Sequence, residues 1–134
     1  MSKPQVDPPS ADTAPTDPAD PADGAAIWQT VQQARQWLDA QNGCGRPEQG
    51  MRILKISEEI GEVATAWAGV TGQNPRKGST HSLQDVADEL GDVALTALVA
   101  VASLGFDPRQ VLAGTASKVR ERLAAVQAAA EATP

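Results

Sequence analysis

Two short stretches of almost the same sequence decide the fold, "EEIGEVA" at residues 58–64 and "DELGDVA" at residues 88–94. Both read acid, acid, aliphatic, Gly, acid, Val, Ala. In an α-helix, positions i, i+3 and i+4 lie on one face about a turn apart. The repeat therefore predicts two similar helices, each with aliphatic positions facing a core and a pair of carboxylates on one face.

The acid pairs are Glu59 with Glu62 in the first copy and Glu89 with Asp92 in the second. If the two helices pack with these faces together, four carboxylates share a small volume. They would then repel one another by several kcal/mol at the reduced dielectric of a bundle. A hard divalent cation removes the repulsion, and carboxylate oxygens are the ligands that Mg²⁺ and Mn²⁺ prefer. The spacing thus predicts a Mg²⁺ site in which Mn²⁺ can substitute.

The remaining positions of the repeat carry their own expectations. Gly61 and Gly91 each cost about 1 kcal/mol relative to Ala inside a helix, which suggests a compensating gain such as close helix approach. Glu58 and Asp88 add a carboxylate to each copy, and each could complete a second metal position, activate a water or point to solvent. The aliphatic positions expected to face the core are Ile60, Val63, Leu90 and Val93.

Helical periodicity runs through most of the chain after residue 26, and the ends of the segments carry recognisable signals. Asn42-Gly43 offers a left-handed cap at the end of the first helix. Ser82 is a favourable N-cap for the third helix, and Asp107 followed by Pro108 begins the fourth. The predicted helices span residues 27–42, 47–70, 83–104 and 108–130.

No segment shows sustained alternation of apolar and polar residues, and aromatic residues make up only 3% of the chain. Strands are therefore not expected. The fold class predicted is all-α, a four-helix bundle. A domain of this size buries only a modest core alone, so a second subunit is expected to complete it as a homodimer or homotetramer.

The first 26 residues differ from the rest in composition. They hold six of the ten prolines, five aspartates and almost no aliphatic side chains, so they cannot bury enough apolar surface to offset their ordering entropy. We predict a disordered acidic tail over residues 1–26 and one domain over residues 27–130. The tail lacks the features of a targeting signal, and no run approaches the roughly 18 apolar residues that a membrane helix needs.

Charge and rare residues exclude several classes of function. The chain has a formal net charge of −6 and no basic stripe of the kind that binds nucleic acid polymers. Its one cysteine, Cys44, rules out an internal disulfide and suits a reducing cytoplasm. The one histidine, His81, lies in neither repeat. Cys-His catalysis and a di-iron bundle built on Glu-x-x-His pairs are therefore not expected.

The pattern E-E-x-x-E followed by E-x-x-D, at residues 58–62 and 89–92, resembles the MazG-type all-α nucleoside triphosphate pyrophosphohydrolases. The resemblance extends over about residues 27–125. In that family, Mg²⁺ held by these acids binds the triphosphate and directs water to the α-phosphorus, which gives a nucleoside monophosphate and pyrophosphate.

The resemblance implies a role for each acid in the pattern. Glu58 would be a further metal ligand or the base that activates the water, whereas Asp88 falls outside the family pattern and is expected to be a surface acid. The metal ligands that the resemblance implies are Glu59, Glu62, Glu89 and Asp92.

Several other side chains are candidates for binding the substrate, and each has a plainer interpretation. Lys55, one turn before Glu59, could contact a phosphate of the substrate. Trp67 could stack on a base, but it also extends an apolar stripe. The basic residues available for the remaining phosphates, all of which could be ordinary surface charge, are Arg76 and Lys77 in a loop and Lys118 and Arg122 on the fourth helix.

The residues and the resemblance together predict a cytoplasmic, Mg²⁺-dependent nucleotide pyrophosphohydrolase. The resemblance also implies a role in clearing non-standard or excess nucleotides, but the sequence does not name the substrate. Two alternatives stay open: a phosphoribosyl-ATP pyrophosphatase-like enzyme, and a non-enzymatic helical interaction module whose acids form a solvated face. The expected partner is a nucleotide substrate, with neither a nucleic acid polymer nor a membrane.

Overall fold

A computed structural model describes residues 21–132 of the chain, with side chains from residue 24 onward. Four helices and no strand occur in this part of the chain, which confirms the all-α, four-helix prediction. The predicted tail lies mostly outside the described residues. The helices are α1 Pro21–Asn42, α2 Arg46–Val70, α3 Leu83–Ser103 and α4 Pro108–Glu131.

The helix ends follow the local sequence closely. Gly43, with a φ of 83°, takes the left-handed conformation that ends α1 at low cost. Ser82 forms a capping box with Asp85, because each side chain accepts a hydrogen bond from the backbone N–H of the other. Asp107 accepts from the backbone N–H of Arg109 at 2.9 Å. These caps fix where α3 and α4 begin.

The start of α1 differs from the prediction. The helix begins at Pro21, inside the stretch assigned to the tail, rather than at Ile27. Proline is well tolerated in the first turn of a helix, and the alanines that follow favour helix. Apolar periodicity marks only the part of α1 that packs, so it could not locate this earlier turn.

The core lies between α1 and α3, while α2 packs along α3 as its main partner. Val31 of α1 is almost fully buried and lies against Val99 and Ala102 of α3. Four further side chains pack around them, namely Ala34, Leu38, Leu95 and Leu98. Since α3 contacts each of the other three helices, it sets the position of every element around it.

A buried arginine joins the ends of three helices. The side chain of Arg52 on α2 is only 5% exposed. Its guanidinium donates to Asp39 Oδ1 at 2.7 Å, to Glu48 Oε1 at 3.2 Å and to Ser103 Oγ at 2.9 Å. It also donates to the backbone carbonyl of Gly43 at 2.8 Å. One side chain therefore links α1, α2, α3 and the turn between α1 and α2.

The apolar residues of the repeat do not all face a core, contrary to the prediction. Ile60 is 54% exposed and Leu90 is 52% exposed, whereas Val63 and Val93 are partly buried. Sixteen large hydrophobic side chains of the described residues are exposed, against five buried apolar residues. Ile60 and Leu90 are therefore left uncovered by the described residues.

The two repeat glycines also differ from expectation. A Cβ atom added at Gly61 or at Gly91 would meet nothing within 4 Å. Neither glycine therefore allows a close helix approach within one chain. Gly69 instead allows the close approach of the loop before α3, because an added Cβ would lie 2.7 Å from Thr80 Oγ1.

Among the described residues, no single helix has the length and apolar character expected of a membrane span; α3 and α4 meet that criterion only when joined across a bend of 116°.

We expect Arg52→Ala to lower the free energy of unfolding by roughly 3 kcal/mol, because Asp39 and Glu48 keep their charges and lose the shared partner. Urea unfolding measures this directly. Arg35→Ala is the matched control: Arg35 also bonds Asp39, at 2.7 Å, but is 31% exposed, so its loss should cost less than about 1 kcal/mol. Equal losses for the two variants would contradict the role given to Arg52.

Candidate metal centre

The packing of α2 on α3 brings acids of both repeat copies together. One carboxylate oxygen from each of Glu59, Glu89 and Asp92 lies within 4.8 Å of the others. Glu59 is buried at 7% exposure, Glu89 is partly buried and Asp92 is exposed. The cluster therefore opens to solvent on the α3 side and is closed beneath Glu59.

Glu62 belongs to the same group of charges. The negative charge of Glu59 is the main reason that the pKa of Glu62 is raised above its ordinary value of 4.5; partial desolvation, the charge of Glu89 and a hydrogen bond with Glu59 add to it. A carboxyl whose pKa is raised by two others must lie close to both. Glu62 therefore lies near the cluster formed by Glu59, Glu89 and Asp92.

Lys55 is the cation that the chain itself supplies to this cluster. Its Nζ lies 2.9 Å from Glu59 Oε1 and 2.9 Å from Glu58 Oε1. These two hydrogen bonds, first that with Glu59 and then that with Glu58, raise the pKa of the Lys55 ammonium. One monovalent charge cannot balance four or five carboxylates, so the site keeps a strong net negative charge.

The donor set fits a hard divalent cation. All four groups are carboxylates, and opposite ligands of an octahedral Mg²⁺ lie about 4.2 Å apart. The 4.8 Å limit on the oxygen separations of Glu59, Glu89 and Asp92 is near this value, so small side-chain rotations would bring the oxygens into range. No His or Cys joins the cluster, which disfavours softer metals.

A family comparison identifies the domain that carries this cluster. The model of the MazG nucleotide pyrophosphohydrolase domain matches residues 49–126, which is more than half of the chain and includes both acid pairs. The chain belongs to the MazG family. Comparison with curated proteins and with solved structures finds no match.

Within the MazG domain, Glu58 and Asp88 take different positions. Glu58 is 61% exposed and is held beside the cluster by Lys55, so it lies within reach of a water or metal at the site. Asp88 instead accepts a hydrogen bond from Gln84 of its own helix at 2.8 Å. Asp88 is exposed and has no contact with the cluster among the described residues.

Trp67 is not on the acidic face of α2. It follows Glu62 by five residues, which places it about 140° around the helix from Glu62, and its side chain is 52% exposed. Trp67 therefore neither joins the metal centre nor extends a core within this chain. Its exposure places it instead in the uncovered apolar surface described above.

The predicted phosphate-binding cations occupy two separate regions. Arg76 and Lys77 lie in the loop between α2 and α3, and both are exposed. Lys118 and Arg122 lie on α4, which packs only lightly on α3, and both are exposed. None of these four has a salt bridge within the described residues.

Two cavities lie along α2 on either side of the acid cluster. One, of about 460 Å³, lies between α1, α2 and α3, and its walls include Lys55, Met51 and Leu95. The other, of about 530 Å³, lies between the second half of α2 and the loop of residues 71–82. Sequence reasoning identified neither cavity: the first joins three helices that are distant in sequence, and the second depends on how a local loop folds back over α2.

Arg52 was also missed from the sequence. It lies one turn before Lys55 in a stretch that reads as an ordinary charged helix surface. A buried arginine carries no distinctive spacing, and its three side-chain partners come from α1, α2 and α3. The only available signal was an arginine flanked on both sides by large apolar residues, Met51 and Ile53.

We expect Glu62→Gln to raise the melting temperature of the metal-free protein at neutral pH. The raised pKa of Glu62 means that its ionisation opposes folding: its contribution to stability is complete below pH 4.5 and is lost as pH rises through the raised pKa. The difference between variant and wild type should therefore vanish below about pH 4.5.

Thermal melts in chelator across this pH range test the prediction, with Asp88→Asn as the control that should not respond. Addition of Mg²⁺ should reverse the order, because the wild type then gains more from the metal than Glu62→Gln does. A variant that is less stable than wild type in chelator at pH 7 would contradict the account.

Proposed function

We propose that this MazG domain is a Mg²⁺-dependent pyrophosphohydrolase that cleaves a nucleoside triphosphate to a nucleoside monophosphate and pyrophosphate. The observation that carries the proposal is the cluster of three carboxylates from α2 and α3, Glu59, Glu89 and Asp92, with Glu62 beside it. Membership of the MazG nucleotide pyrophosphohydrolase family supports the class of reaction.

The chemistry requires little beyond positioning and charge neutralisation. Water attacks the α-phosphorus, the bond from the α-phosphorus to the bridging oxygen breaks, and pyrophosphate leaves. A bound Mg²⁺ would neutralise phosphate charge and lower the pKa of the attacking water. Glu59, Glu62, Glu89 and Asp92 would hold the metal, and Glu58 would accept the proton of the water.

Lys55 has a double role in this proposal. In the metal-free protein its ammonium is the counter-ion of Glu59 and Glu58, at 2.9 Å from each. With Glu59 holding a divalent cation, Lys55 would be free to contact a phosphate oxygen. Its 45% exposure and long flexible side chain allow this movement. Arg76 and Lys77, in the loop after α2, would supply further charge for the outer phosphates; Lys118 and Arg122, on α4, are the remaining candidates.

Two alternative functions are supported less well than this one or are not distinguished from it by the metal centre. A phosphoribosyl-ATP pyrophosphatase-like activity would use the same metal centre and is separated by substrate alone. A non-enzymatic module with a solvated acidic face is disfavoured because Glu59 is buried, and solvated acidic faces do not bury their carboxylates. A role in clearing non-standard or excess nucleotides in the cytoplasm is consistent with the single Cys44.

The direct test is a panel of nucleoside triphosphates and phosphoribosyl-ATP with pyrophosphate detection in Mg²⁺. We expect release of pyrophosphate by the wild type and a loss of about 100-fold or more in kcat for Glu62→Gln and for Asp92→Asn, since each removes a carboxylate that would hold the Mg²⁺ on which neutralisation of the phosphate charge depends. Asp88→Asn, next to Glu89 but outside the cluster, should retain nearly full activity. Pyrophosphate release that survives both cluster substitutions would refute the mechanism.

We also propose that the domain functions as a homodimer or homotetramer. Exposed apolar side chains recur on α2 at i, i+7 and i+14, as Ile53, Ile60 and Trp67. They recur on α3 at Leu83 and Leu90. Spacing by seven is typical of helices that pack against a parallel or antiparallel partner helix, and a second copy of this chain presents matching rows.

Ile60→Lys and Leu90→Lys should shift the species measured by size-exclusion chromatography with light scattering to the monomer mass. The matched control is Val126→Lys on α4, a more exposed apolar position at 67% that lies outside both rows. A wild type that is monomeric at tens of micromolar would contradict the oligomer proposal.

A further inference from the structure

We infer that the cavity between the second half of α2 and the loop of residues 71–82, here called the loop pocket, binds the nucleobase of the substrate. This inference rests on the proposed function and extends it to substrate recognition. Thr65, Gly69, Gln73, Asn74, Thr80 and His81 are the lining residues on which it depends.

The loop pocket shares a face of α2 with the metal centre. Glu62, Thr65 and Gly69 are at i, i+3 and i+7, so they lie along one side of the helix. Gly69 lies about 10 Å along the axis from Glu62. A nucleotide with its α-phosphate at the acids can therefore extend its sugar and base toward the pocket.

The loop is held against α2 by specific contacts that depend on Gly69. The backbone N–H of Thr80 donates to the carbonyl of Gly69 at 3.0 Å. Any Cβ at Gly69 would collide with the imidazole of His81 and with Thr80 Oγ1. The absence of a side chain at Gly69 thus lets the loop close over the helix and form the wall of the pocket.

The lining suits an uncharged heteroaromatic ring better than a second polyphosphate. Its floor is apolar, with Ala68, Gly69 and Pro75. The amides of Gln73 and Asn74 and the hydroxyl of Thr80 supply both donors and acceptors. No acid lines the pocket, and Lys77 is its one side chain with a full positive charge at neutral pH. A volume of about 530 Å³ is ample for a base.

The cavity on the other side of the acid cluster offers fewer free polar groups. Its Arg52 and Glu48 are bonded to each other at 3.2 Å, and Asn42 donates to Glu48 at 3.2 Å. Lys55 is bonded to Glu58 and Glu59. By contrast, the amide of Gln73 in the loop pocket has no side-chain hydrogen bond within the described residues. The loop pocket therefore offers more free polar groups than the other cavity for hydrogen bonds with the edge of a base.

The test is calorimetric binding in Mg²⁺ of α,β-imido nucleoside triphosphates carrying each of the four common bases, compared with inorganic tripolyphosphate. We expect the wild type to bind its preferred nucleotide more tightly than tripolyphosphate. Gln73→Ala and Gly69→Ala should each weaken the preferred nucleotide about tenfold and change tripolyphosphate less than twofold. Gly50→Ala, a glycine of the same helix whose Cβ would meet nothing within 4 Å, is the control.

Two outcomes would overturn the inference: Gln73→Ala and Gly69→Ala leave nucleotide affinity unchanged, or they weaken nucleotide and tripolyphosphate equally. A loss of nucleotide affinity in Thr96→Val alone, which alters the other cavity, would also overturn it. The assay needs no turnover. If the variants remove base discrimination while the wild type releases no pyrophosphate, the loop pocket stands and the proposed reaction fails. If the wild type releases pyrophosphate but the variants keep base discrimination, the proposed reaction stands and the loop pocket fails.

Discussion

The buried carboxylate of Glu59 is the constraint on which the rest of this structure depends. A carboxylate taken out of water must be compensated, or its charge is costly. Here its nearest neighbours are three more acids and a single lysine. The helices that hold it are in place only because α3 packs against α1 and α2 at once. The cluster therefore keeps a net negative charge, which a divalent cation would balance.

Arg52 shows how the same chain treats a buried charge that has no chemical task. Its guanidinium has four hydrogen bonds, including ones to two carboxylates, a hydroxyl and a backbone carbonyl. Every one of these partners is supplied by the fold. Glu59, two turns along the same helix, is paired with Lys55 alone and otherwise faces acids. The buried arginine thus has two carboxylates as partners, whereas the buried glutamate shares one lysine with Glu58.

The sequence predicted the helices well because their ends are set by local chemistry. The Ser82 capping box, the Asp107 cap and the left-handed Gly43 each involve residues within a few positions of one another. The convergence of the acid pairs was also predictable, since a helical repeat in matching register needs only one packing contact to meet. Periodicity was less informative about burial: it marked Ile60 and Leu90 as apolar, but it could not tell a core position from an exposed one.

The features that escaped prediction depend on long-range contacts. Arg52 joins residues that are far apart in sequence, and Gly69 is special only because the loop returns to place His81 and Thr80 against it. Gly61 and Gly91 looked equally special in sequence, yet each has open space around it. A glycine of α2 was therefore correctly expected to permit a close contact, but this was expected at Gly61 rather than at Gly69.

The most direct measurement of the central claim is an electron paramagnetic resonance titration of Mn²⁺ into the metal-free protein, because free Mn²⁺ gives a sharp signal that is lost on binding. The account predicts that wild type binds Mn²⁺, that Mg²⁺ displaces it, that Glu59→Gln abolishes most of the binding and that Asp88→Asn retains it. Equal Mn²⁺ binding by wild type and Glu59→Gln, or none by either, would contradict a metal centre built on the buried carboxylate.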